Sequence, residues 1–329
     1  MPPTTILGLG HRLPSWVVTN EELAARCGLG ADAMRSPVGQ RYYAEPGIGP
    51  SDLAVEAAHM ALGRAKLEAQ DIDFLLFATM TPDVAFPGSG CYLQDKLGLG
   101  TVGALDIRAQ CLGFIFGLGV AEQFVRTGTY HRVLLATAEV HSTGLDFSPK
   151  GAPVSRYFGD GAAAAILSSA DGDRGVLATV LHTDASEYER FWCEYPSSRQ
   201  HPIRITLEDL AAERHYTRID LDGLNRLAAR LLREVIDETL ARAGCRQGDV
   251  AHYFLHYVDP GVAREVAATL GIGRDRATAT AERTGHIASA SLPIALSQAW
   301  SAGAVRAGDL VCLAGVGAGI NWGAAVIRL

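Results

Sequence analysis

The chain carries the same sequence pattern twice, and this repeat constrains its fold more than any other feature. Residues 61–78 read ALGRAKLEAQDIDFLLFA, and residues 239–256 read TLARAGCRQGDVAHYFLH. In each, a helical end leads through a polar turn with an aspartate (Asp71, Asp249) into an apolar run. The repeat predicts two α/β halves of similar structure.

The repeat also relates two residues with reactive side chains. Each half continues from an LGLG or LGIG segment, through a short strand-like piece, to a helix rich in small residues. These helices are expected to begin at Cys111 and at His286, and a glycine follows 17 residues later in both halves, at Gly128 and Gly303. Halves that pack face to face would bring Cys111 and His286 to one central site.

Composition fits a well-cored α/β protein of 329 residues, with 48% hydrophobic residues and 36 glycines. No apolar run reaches the roughly 18 residues of a membrane span, and the first residues do not resemble a signal peptide. The six cysteines show no CxxC pair or metal-ligand spacing, which predicts reduced thiols, no metal site and a cytoplasmic location. A net charge of −7 argues against a general nucleic-acid binder.

Periodicity predicts the main elements. Continuous apolar runs are typical of buried parallel strands. Strands are expected over residues 5–10, 73–79 and 132–138 and in the last twenty or so residues, 309–328. Helices are expected over residues 52–66 and 220–243, and Asn20 is expected to cap a further helix.

No linker or low-complexity tract separates the two halves. We place them at residues 1–170 and 171–329, and we expect a single five-layered core of helix, sheet, helix, sheet and helix. Residues 158–168 and 176–184 are expected to form a hairpin-type addition that closes the first half. The polar and aromatic residues 186–217 match nothing in the first half, which indicates an insertion beside a pocket.

Sequence motifs in both halves resemble those of one enzyme family. In chain order they are AFPGSGC (85–91), ALDIRAQCLGF (104–114), YFGDGAAAAIL (157–167), FLHYVDP (254–260), GHIASAS (285–291) and GVGAGINWGAAVIRL (315–329). Nearly the whole chain resembles the thiolase superfamily, closest to the β-ketoacyl-acyl-carrier-protein synthase III group and to its acyltransferases of antibiotic and polyketide pathways. The resemblance implies the thiolase fold, a homodimer, no cofactor, and an acyl group carried on Cys111 as a thioester.

The position of Cys111 suits a nucleophile. A thiolate is the reactive form of cysteine, and a helix N-terminus is expected to lower the pKa of the thiol. The alternative is a buried core cysteine. Attack on a thioester also needs donors for the oxyanion. The Cys111 amide is one candidate, and by the resemblance the Ala318 amide, in a Gly-Ala-Gly turn, is the other.

Two histidines and one aspartate complete the candidate catalytic set. His256 ends an apolar strand and matches the family's catalytic histidine, whereas His286 and Asp259 stand where the family has asparagine. Histidine can donate to a thioester carbonyl as asparagine does, and it can also act as a base. Cys111, His286 and Asp259 would then be nucleophile, base and orienting carboxylate. Alternatively, Asp259 caps the helix that follows it.

The donor channel departs from the family pattern. Ala31 stands where coenzyme-A-using members have a tryptophan that stacks on adenine. Asp222 and Asp259 replace two asparagines that contact pantetheine in the family. Arg35 matches a family residue whose positive charge faces a phosphate of coenzyme A. The resemblance therefore implies weak coenzyme A recognition and favours a carrier-protein thioester as acyl donor, with acyl-coenzyme A as the alternative.

Further residues are predicted to contact partners and substrate. Arg226, Arg230 and Arg233 recur at helical spacing, and such a basic stripe attracts an acidic carrier protein; a merely solvated face is the alternative. By the resemblance, Phe86 reaches into the acyl pocket of the second subunit. Phe158 is predicted to contact the substrate. The insertion residue Trp192 is predicted to contact the acyl group or the acceptor; packing on the dimer surface is the alternative.

Two reactions fit these residues. In the first, the acyl group moves from the carrier to Cys111 and then to a hydroxyl, amine or carrier thiol. In the second, acyl-Cys111 condenses with a malonyl-carrier protein, with loss of carbon dioxide. The replacement of asparagine by His286 favours the first. A third interpretation, a catalytically silent subunit, is disfavoured because Cys111 is present.

Overall fold

The computed structural model describes residues 3–170, 172 and 174–329, apart from the side chain of Ala31. The strands are β1 (Thr4–Arg12), β2 (Trp16–Thr19), β3 (Gln40–Tyr43), β4 (Phe74–Ala78), β5 (Gly103–Ile107), β6 (Arg132–Glu139), β7 (Gly161–Ser169), β8 (Gly175–Thr183), β9 (Phe191–Trp192), β10 (Arg218–Ile219), β11 (His252–His256), β12 (Ala277–Ala279), β13 (Leu310–Gly317) and β14 (Asn321–Arg328). The α-helices are α1 (Asn20–Arg26), α2 (Pro50–Ala65), α3 (Ser89–Leu97), α4 (Gly113–Arg126), α5 (Ala152–Ser155), α6 (Leu207–Ala211), α7 (Leu221–Arg242), α8 (Pro260–Thr269) and α9 (Ser291–Ser301).

Two five-stranded sheets repeat one topology. The first has the order β1-β7-β6-β4-β5, and the second, taken from its other edge, has the order β8-β14-β13-β11-β12. Corresponding strand pairs also have the same direction: the first two pairs of each sheet are antiparallel and the last two are parallel. The sheets therefore confirm that the chain is built from duplicated α/β halves.

Helices cover both faces of each sheet. The central helix α4 contacts β4, β6 and β7 of the first sheet and β8 and β14 of the second, and α9 contacts β1 and β7 as well as β11. Helix α2 packs on the outer face of the first sheet, and α7 and α8 pack on that of the second. The expected five-layered core of helix, sheet, helix, sheet and helix is confirmed.

The repeated sequence segments fold alike because the same local interactions recur. In each half an aspartate ends a short 3-10 helix and accepts a hydrogen bond from a backbone N–H three residues earlier, Asp71 from Glu68 (2.9 Å) and Asp249 from Arg246 (2.8 Å). The apolar run that follows becomes a buried parallel strand, β4 or β11, in which every residue is buried. Such strands need apolar side chains on both faces, which explains the continuous apolar runs.

Two local predictions were wrong. Residues 161–169 and 175–183 do not form a hairpin: β7 pairs with β1 and β6, whereas β8 pairs with β14 and belongs to the second sheet. The first helix is capped by Thr19, whose hydroxyl accepts from the Glu22 amide at 3.1 Å, and Asn20 is its first residue.

The backbone corrects the expected equivalence of Cys111 and His286. Each central helix is preceded by a 3-10 turn whose first residue has a positive φ, Gln110 at 45° and Ala288 at 34°. On this alignment Cys111 corresponds to Ser289, and His286 lies three residues before that position. A Cβ on Gly113 would lie 2.8 Å from the Ser289 Cβ, so the beginnings of the two central helices are in close contact.

Between β8 and α7 the chain forms the segment that was predicted as an insertion. It contains a 3-10 helix (Ala185–Arg190), the short antiparallel pair of β9 with β10, and α6. None of the described helices is long and apolar enough to cross a membrane.

Candidate active site

One thiol and two imidazoles meet between the halves. The Cys111 Sγ lies 3.5 Å from the His286 Nε2, and the polar side-chain atoms of Cys111, His256 and His286 all lie within 4.8 Å of one another. The two histidine rings stack with centroids 4.8 Å apart and planes within 5° of parallel. All three residues are buried.

Three different elements position these side chains. Cys111 sits in the 3-10 turn that leads into α4, and His256 is the last residue of β11. His286 lies in an extended segment, where its amide donates to the Tyr157 carbonyl (2.7 Å) and its carbonyl accepts from the Gly159 amide (3.1 Å). The site therefore draws on both halves and depends on their packing.

Hydrogen bonds fix one ring and leave nitrogen atoms for a substrate. The Thr280 hydroxyl lies 2.7 Å from the His256 Nδ1 and holds that ring in place. Within the described part of the chain, the His256 Nε2 and the His286 Nδ1 are buried without a hydrogen-bond partner. Buried polar atoms are normally paired, so these nitrogens are suited to bind a polar group brought in by a substrate.

Burial keeps both imidazoles neutral. It lowers the pKa of His256 to about 3. It also lowers the pKa of His286 well below the usual value, and the neighbouring His256 and His141 add to this effect. Each ring therefore carries one N–H donor and one unprotonated nitrogen near pH 7.

The expected low pKa of the Cys111 thiol is not what the structure shows. Burial raises this pKa to about 12, although the Ala318 and Cys111 backbone N–H groups act in the opposite direction. The helix N-terminus is thus outweighed by desolvation. Cys111 rests as a thiol and must lose its proton as it attacks; the His286 Nε2, at 3.5 Å, is suited to accept it.

A tight turn brings the second oxyanion donor to the sulfur. The Ala318 and Cys111 N–H groups both face the Cys111 Sγ. A Cβ on Gly317 would lie only 2.8 Å from that sulfur, so glycine is required for this approach. The Asn321 amide nitrogen donates to the Ala318 carbonyl and to the Gln110 side chain, both at 3.0 Å, and so ties the turn to the nucleophile's own segment.

Asp259 lies at a helix start and not beside a catalytic ring. Its carboxylate accepts from the Gly261 amide at 2.8 Å and caps α8, and the Tyr157 hydroxyl lies at 3.4 Å. These are its hydrogen-bond partners among the described residues, so no hydrogen bond joins Asp259 to His286. The observed contacts are those of the capping alternative.

Comparison with known proteins places the chain in a family. The C-terminal model of 3-oxoacyl-[acyl-carrier-protein] synthase III matches residues 240–329, and the model of 3-oxoacyl-[acyl-carrier-protein] synthase III matches residues 105–185. A β-ketoacyl-[acyl-carrier-protein] synthase III of Paramagnetospirillum magneticum is 34% identical over 332 residues, with 98% of each chain covered. The chain belongs to the β-ketoacyl-acyl-carrier-protein synthase III family.

Other family members agree over the full length. The synthase III of Syntrophomonas wolfei is 30% identical, with 98% of this chain and 96% of the relative covered. The crystal structure of the Aquifex aeolicus synthase III superposes with a TM-score of 0.89 at 29% identity, covering 99% of this chain and 100% of that one. A priming β-ketosynthase from the R1128 polyketide pathway gives 0.91 at 25% identity, covering 100% and 96%. The thiolase-superfamily resemblance is thus confirmed, and the chain is an acyl-transferring enzyme of this family.

Three aromatic residues are predicted contacts of the substrate, and they lie at different distances from the catalytic cluster. Phe158 packs edge-on against the His286 ring, with centroids 5.1 Å apart. Trp192 is half-buried in β9 and packs edge-on against Tyr188. Phe86 is 79% exposed, in the segment before α3. Only Phe158 of these three touches the catalytic cluster.

The predicted donor-side residues lie on the surface. Arg35 and Asp222 are exposed, the first just after a 3-10 turn and the second in the first turn of α7. Arg226 and Arg230 are exposed along α7, and Arg230 is paired with Glu234 at 3.1 Å. The predicted loss of an aromatic stack at Ala31 concerns a side chain outside the described residues.

Sequence reasoning missed a buried carboxyl group behind the nucleophile. Glu139 ends β6 with no exposed surface, and it accepts hydrogen bonds from the Ser289 hydroxyl (2.6 Å), the Thr81 hydroxyl (2.8 Å) and the Met80 amide (3.0 Å). Burial raises its pKa to about 7. The signal was a charged residue at the end of an otherwise apolar strand.

Two cavities flank the cluster. A narrow one, of about 10 Å³, has Gly317, Val316 and Tyr257 in its wall and so reaches the turn beside the Cys111 sulfur. A second, of about 580 Å³, has His141 and Phe158 in its wall. Phe158 contacts the His286 ring, so the two cavities approach the thiol and the imidazole respectively.

Proposed function

We propose that the protein is a decarboxylating β-ketoacyl synthase, which loads an acyl group onto Cys111 and joins it to two carbons of a malonyl thioester. The observation that supports this most is the pair of stacked, neutral imidazoles beside the thiol. Two N–H donors are suited to one developing enolate oxygen. The names of the relatives, synthases of β-ketoacyl products, support the same reaction.

The first half-reaction forms the acyl-enzyme. The Cys111 sulfur attacks the carbonyl carbon of the donor thioester, and its proton passes to the His286 Nε2. The Cys111 and Ala318 N–H groups stabilise the oxyanion. When the carbon–sulfur bond of the donor breaks, the leaving thiolate takes the proton from His286. The acyl group then stands on Cys111 and both histidines are neutral again.

The second half-reaction forms the carbon–carbon bond. Because the His286 Nε2 is the proton acceptor, the N–H of that ring is at Nδ1, which has no hydrogen-bond partner among the described residues and is free for substrate. We propose that His256 and His286 donate to the carbonyl oxygen of the malonyl thioester as carbon dioxide leaves and an enolate develops. The enolate carbon attacks the acyl carbon and displaces the Cys111 thiolate, which then takes up a proton from solvent. Neutral rings suit this role, because the enolate needs donors and no base.

Acyl transfer to a hydroxyl, amine or carrier thiol is the second candidate. The observation in its favour is His286 itself, because an imidazole can deprotonate an acceptor and asparagine cannot. Against it stands the second imidazole, His256, which acyl transfer does not require, whereas condensation uses the N–H donors of both rings. The paired rings therefore favour condensation over the transfer that the sequence suggested.

The deciding experiment uses the acyl-enzyme itself. Enzyme acylated on Cys111 and freed of donor is mixed with malonyl-carrier protein. We expect stoichiometric release of carbon dioxide and a β-ketoacyl-carrier product, both measurable by mass spectrometry with labelled malonate. Loss of the acyl group to an added alcohol, amine or carrier thiol, with no carbon dioxide, would establish the transfer reaction instead.

We further propose that α7 receives the acyl carrier protein. Arg226, Arg230 and Arg233 are exposed on this helix. A basic stripe of this kind raises the rate of encounter with an acidic partner more than it raises the affinity of the complex. Reversing the charge of the stripe should therefore lower kcat/KM for carrier-bound substrates and leave the value for small substrates unchanged.

Arg226→Glu combined with Arg233→Glu is expected to lower kcat/KM for acyl-carrier protein about tenfold at low salt. The value for a small pantetheine thioester should not change, because that substrate makes no contact with the helix. Arg306→Glu, which makes half of this charge change on the exposed turn after α9, is the control. An equal loss with both substrates would show that the double variant disturbs the site and not the docking.

The surface also supports a homodimer. Strand β5 forms an edge of the first sheet and is exposed along nearly its whole length. Open edges of this kind are normally covered in proteins. Phe86, 79% exposed, lies shortly before α3, which packs on β5. We propose that a second copy pairs with β5 and covers Phe86.

A further inference from the structure

The larger cavity is built next to the catalytic imidazole. Its volume is about 580 Å³, and its wall includes His141 and Phe158. The His141 ring stands 6.2 Å from the His286 ring, nearly parallel to it, and Phe158 packs edge-on against both. Phe158 is thus the link between this space and the catalytic cluster, and an acyl group on Cys111 that extended past His286 and Phe158 would enter it. We refer to it as the His141 cavity.

His141 has an unmet hydrogen-bonding capacity. The residue is 6% exposed, and its Nε2 is buried without a hydrogen-bond partner in the described part of the chain. Burial lowers the pKa of the ring to about 3, so the imidazole is neutral. The backbone amide of His141 donates to the Asp160 carboxylate at 2.7 Å, a bond that does not involve the ring. A buried nitrogen without a hydrogen bond lowers the stability of the fold relative to an apolar side chain, unless a ligand forms the missing hydrogen bond.

Two further polar atoms in the same wall lack partners. The His215 Nδ1 and the Asp83 Oδ2 are both buried and unpaired among the described residues. The other Asp83 oxygen accepts from the Ser51 hydroxyl at 2.7 Å, so the carboxylate is held in place. Three residues of the wall thus carry a polar atom without a partner among the described residues, and such a site is poorly matched to a plain hydrocarbon chain.

We propose that the His141 cavity holds the acyl chain carried on Cys111, and that His141 selects chains with a hydroxyl group near the thioester over plain alkyl chains. The inference rests on the proposed acyl-enzyme. A hydroxyl group both donates and accepts, so it pairs with either nitrogen of a neutral imidazole. The fixed Asp83 carboxylate in the same wall disfavours chains that end in a carboxylate.

A competition between matched donors tests this selection. Enzyme is mixed with equal amounts of butyryl and 2- or 3-hydroxybutyryl thioesters of N-acetylcysteamine, and the acyl groups on Cys111 are quantified by intact mass at early times. The wild-type protein is expected to favour at least one hydroxyacyl group by about tenfold. His141→Leu should abolish or reverse that preference, and His141→Gln, which keeps a donor and an acceptor, should retain part of it.

Two controls separate selection from folding. His59→Leu makes the same exchange at an exposed position of α2 and should leave the ratio unchanged. His141→Leu should melt at or above the wild-type temperature, because leucine removes an unpaired buried nitrogen. A marked fall in its melting temperature would instead assign His141 a structural role and overturn the proposal.

The outcomes also separate this inference from the function on which it rests. Equal acylation by butyryl and both hydroxybutyryl donors, or the same ratio in wild type and His141→Leu, would overturn the role of His141 and leave the synthase proposal intact. No acylation of Cys111 by any thioester would overturn both. Hydroxyacyl preference without carbon dioxide release would refute condensation alone.

Discussion

Cys111→Ala is expected to eliminate the acyl-enzyme and to lower turnover by at least about 10⁴-fold, the scale observed when a covalent nucleophile is removed. The loss should be this large because no other described thiol touches the two catalytic imidazoles. Intact mass after incubation with donor thioester measures the acyl-enzyme directly. The wild-type protein should gain one acyl group, and the variant should gain none.

Cys312→Ala provides a matched control. Cys312 lies in β13, is equally buried, and burial raises its pKa to about 12, as for Cys111. It differs in having no catalytic histidine beside it, so its replacement should leave acylation unchanged. If Cys111→Ala still transferred acyl groups at the normal rate, the assignment of the nucleophile would be wrong.

The second large effect concerns the paired imidazoles. His256→Ala is expected to slow condensation by about 10²–10³-fold, as found when one donor to a developing oxyanion is removed. Formation of the acyl-enzyme should be affected much less, because the thiol proton passes to His286, which is the ring within 3.5 Å of the sulfur. Single-turnover measurements of acylation and of carbon dioxide release separate the two steps.

His286→Asn distinguishes the two proposed reactions. Asparagine keeps an N–H donor but cannot take a proton. Under the condensation mechanism acylation should slow, because asparagine cannot take the thiol proton, but acyl-enzyme once formed should still release carbon dioxide at a rate within about tenfold of wild type, because the donor remains. Under the transfer mechanism the second step should slow far more than acylation. Equal slowing of acylation and condensation would show that His286 acts mainly on the thiol.

The repeat predicted the architecture because each half must form the same sheet to bury the same apolar runs. The assignment of β8 was wrong because an apolar strand pattern does not say which sheet the strand joins. The repeat also misplaced His286 by three residues, since small-residue segments align equally well in several registers. Only the backbone, with its positive φ at Gln110 and Ala288, fixes the register.

The sequence predicts which residues form the site, but it does not predict their pKa values. The side chains of Cys111, His256 and His286 lie together, as expected because one residue ends a strand and the other two lie just before the central helices. The sequence predicts a lowered pKa for Cys111, because it shows the helix N-terminus but not how deeply the thiol is buried. Asp259 had two possible roles until the position of α8 was known. Glu139 and His141 were overlooked, because their significance depends on neighbours distant in the chain.

The register of the central helices has a consequence for stoichiometry. Where the first half presents the Cys111 thiol, the second presents the Ser289 hydroxyl, which is committed to the Glu139 carboxyl group. The two halves therefore keep the same backbone conformation at this position but carry side chains with different reactivity. One polypeptide can therefore load a single acyl group. At the corresponding position of the second half, Ser289 instead joins the two halves by its hydrogen bond to Glu139.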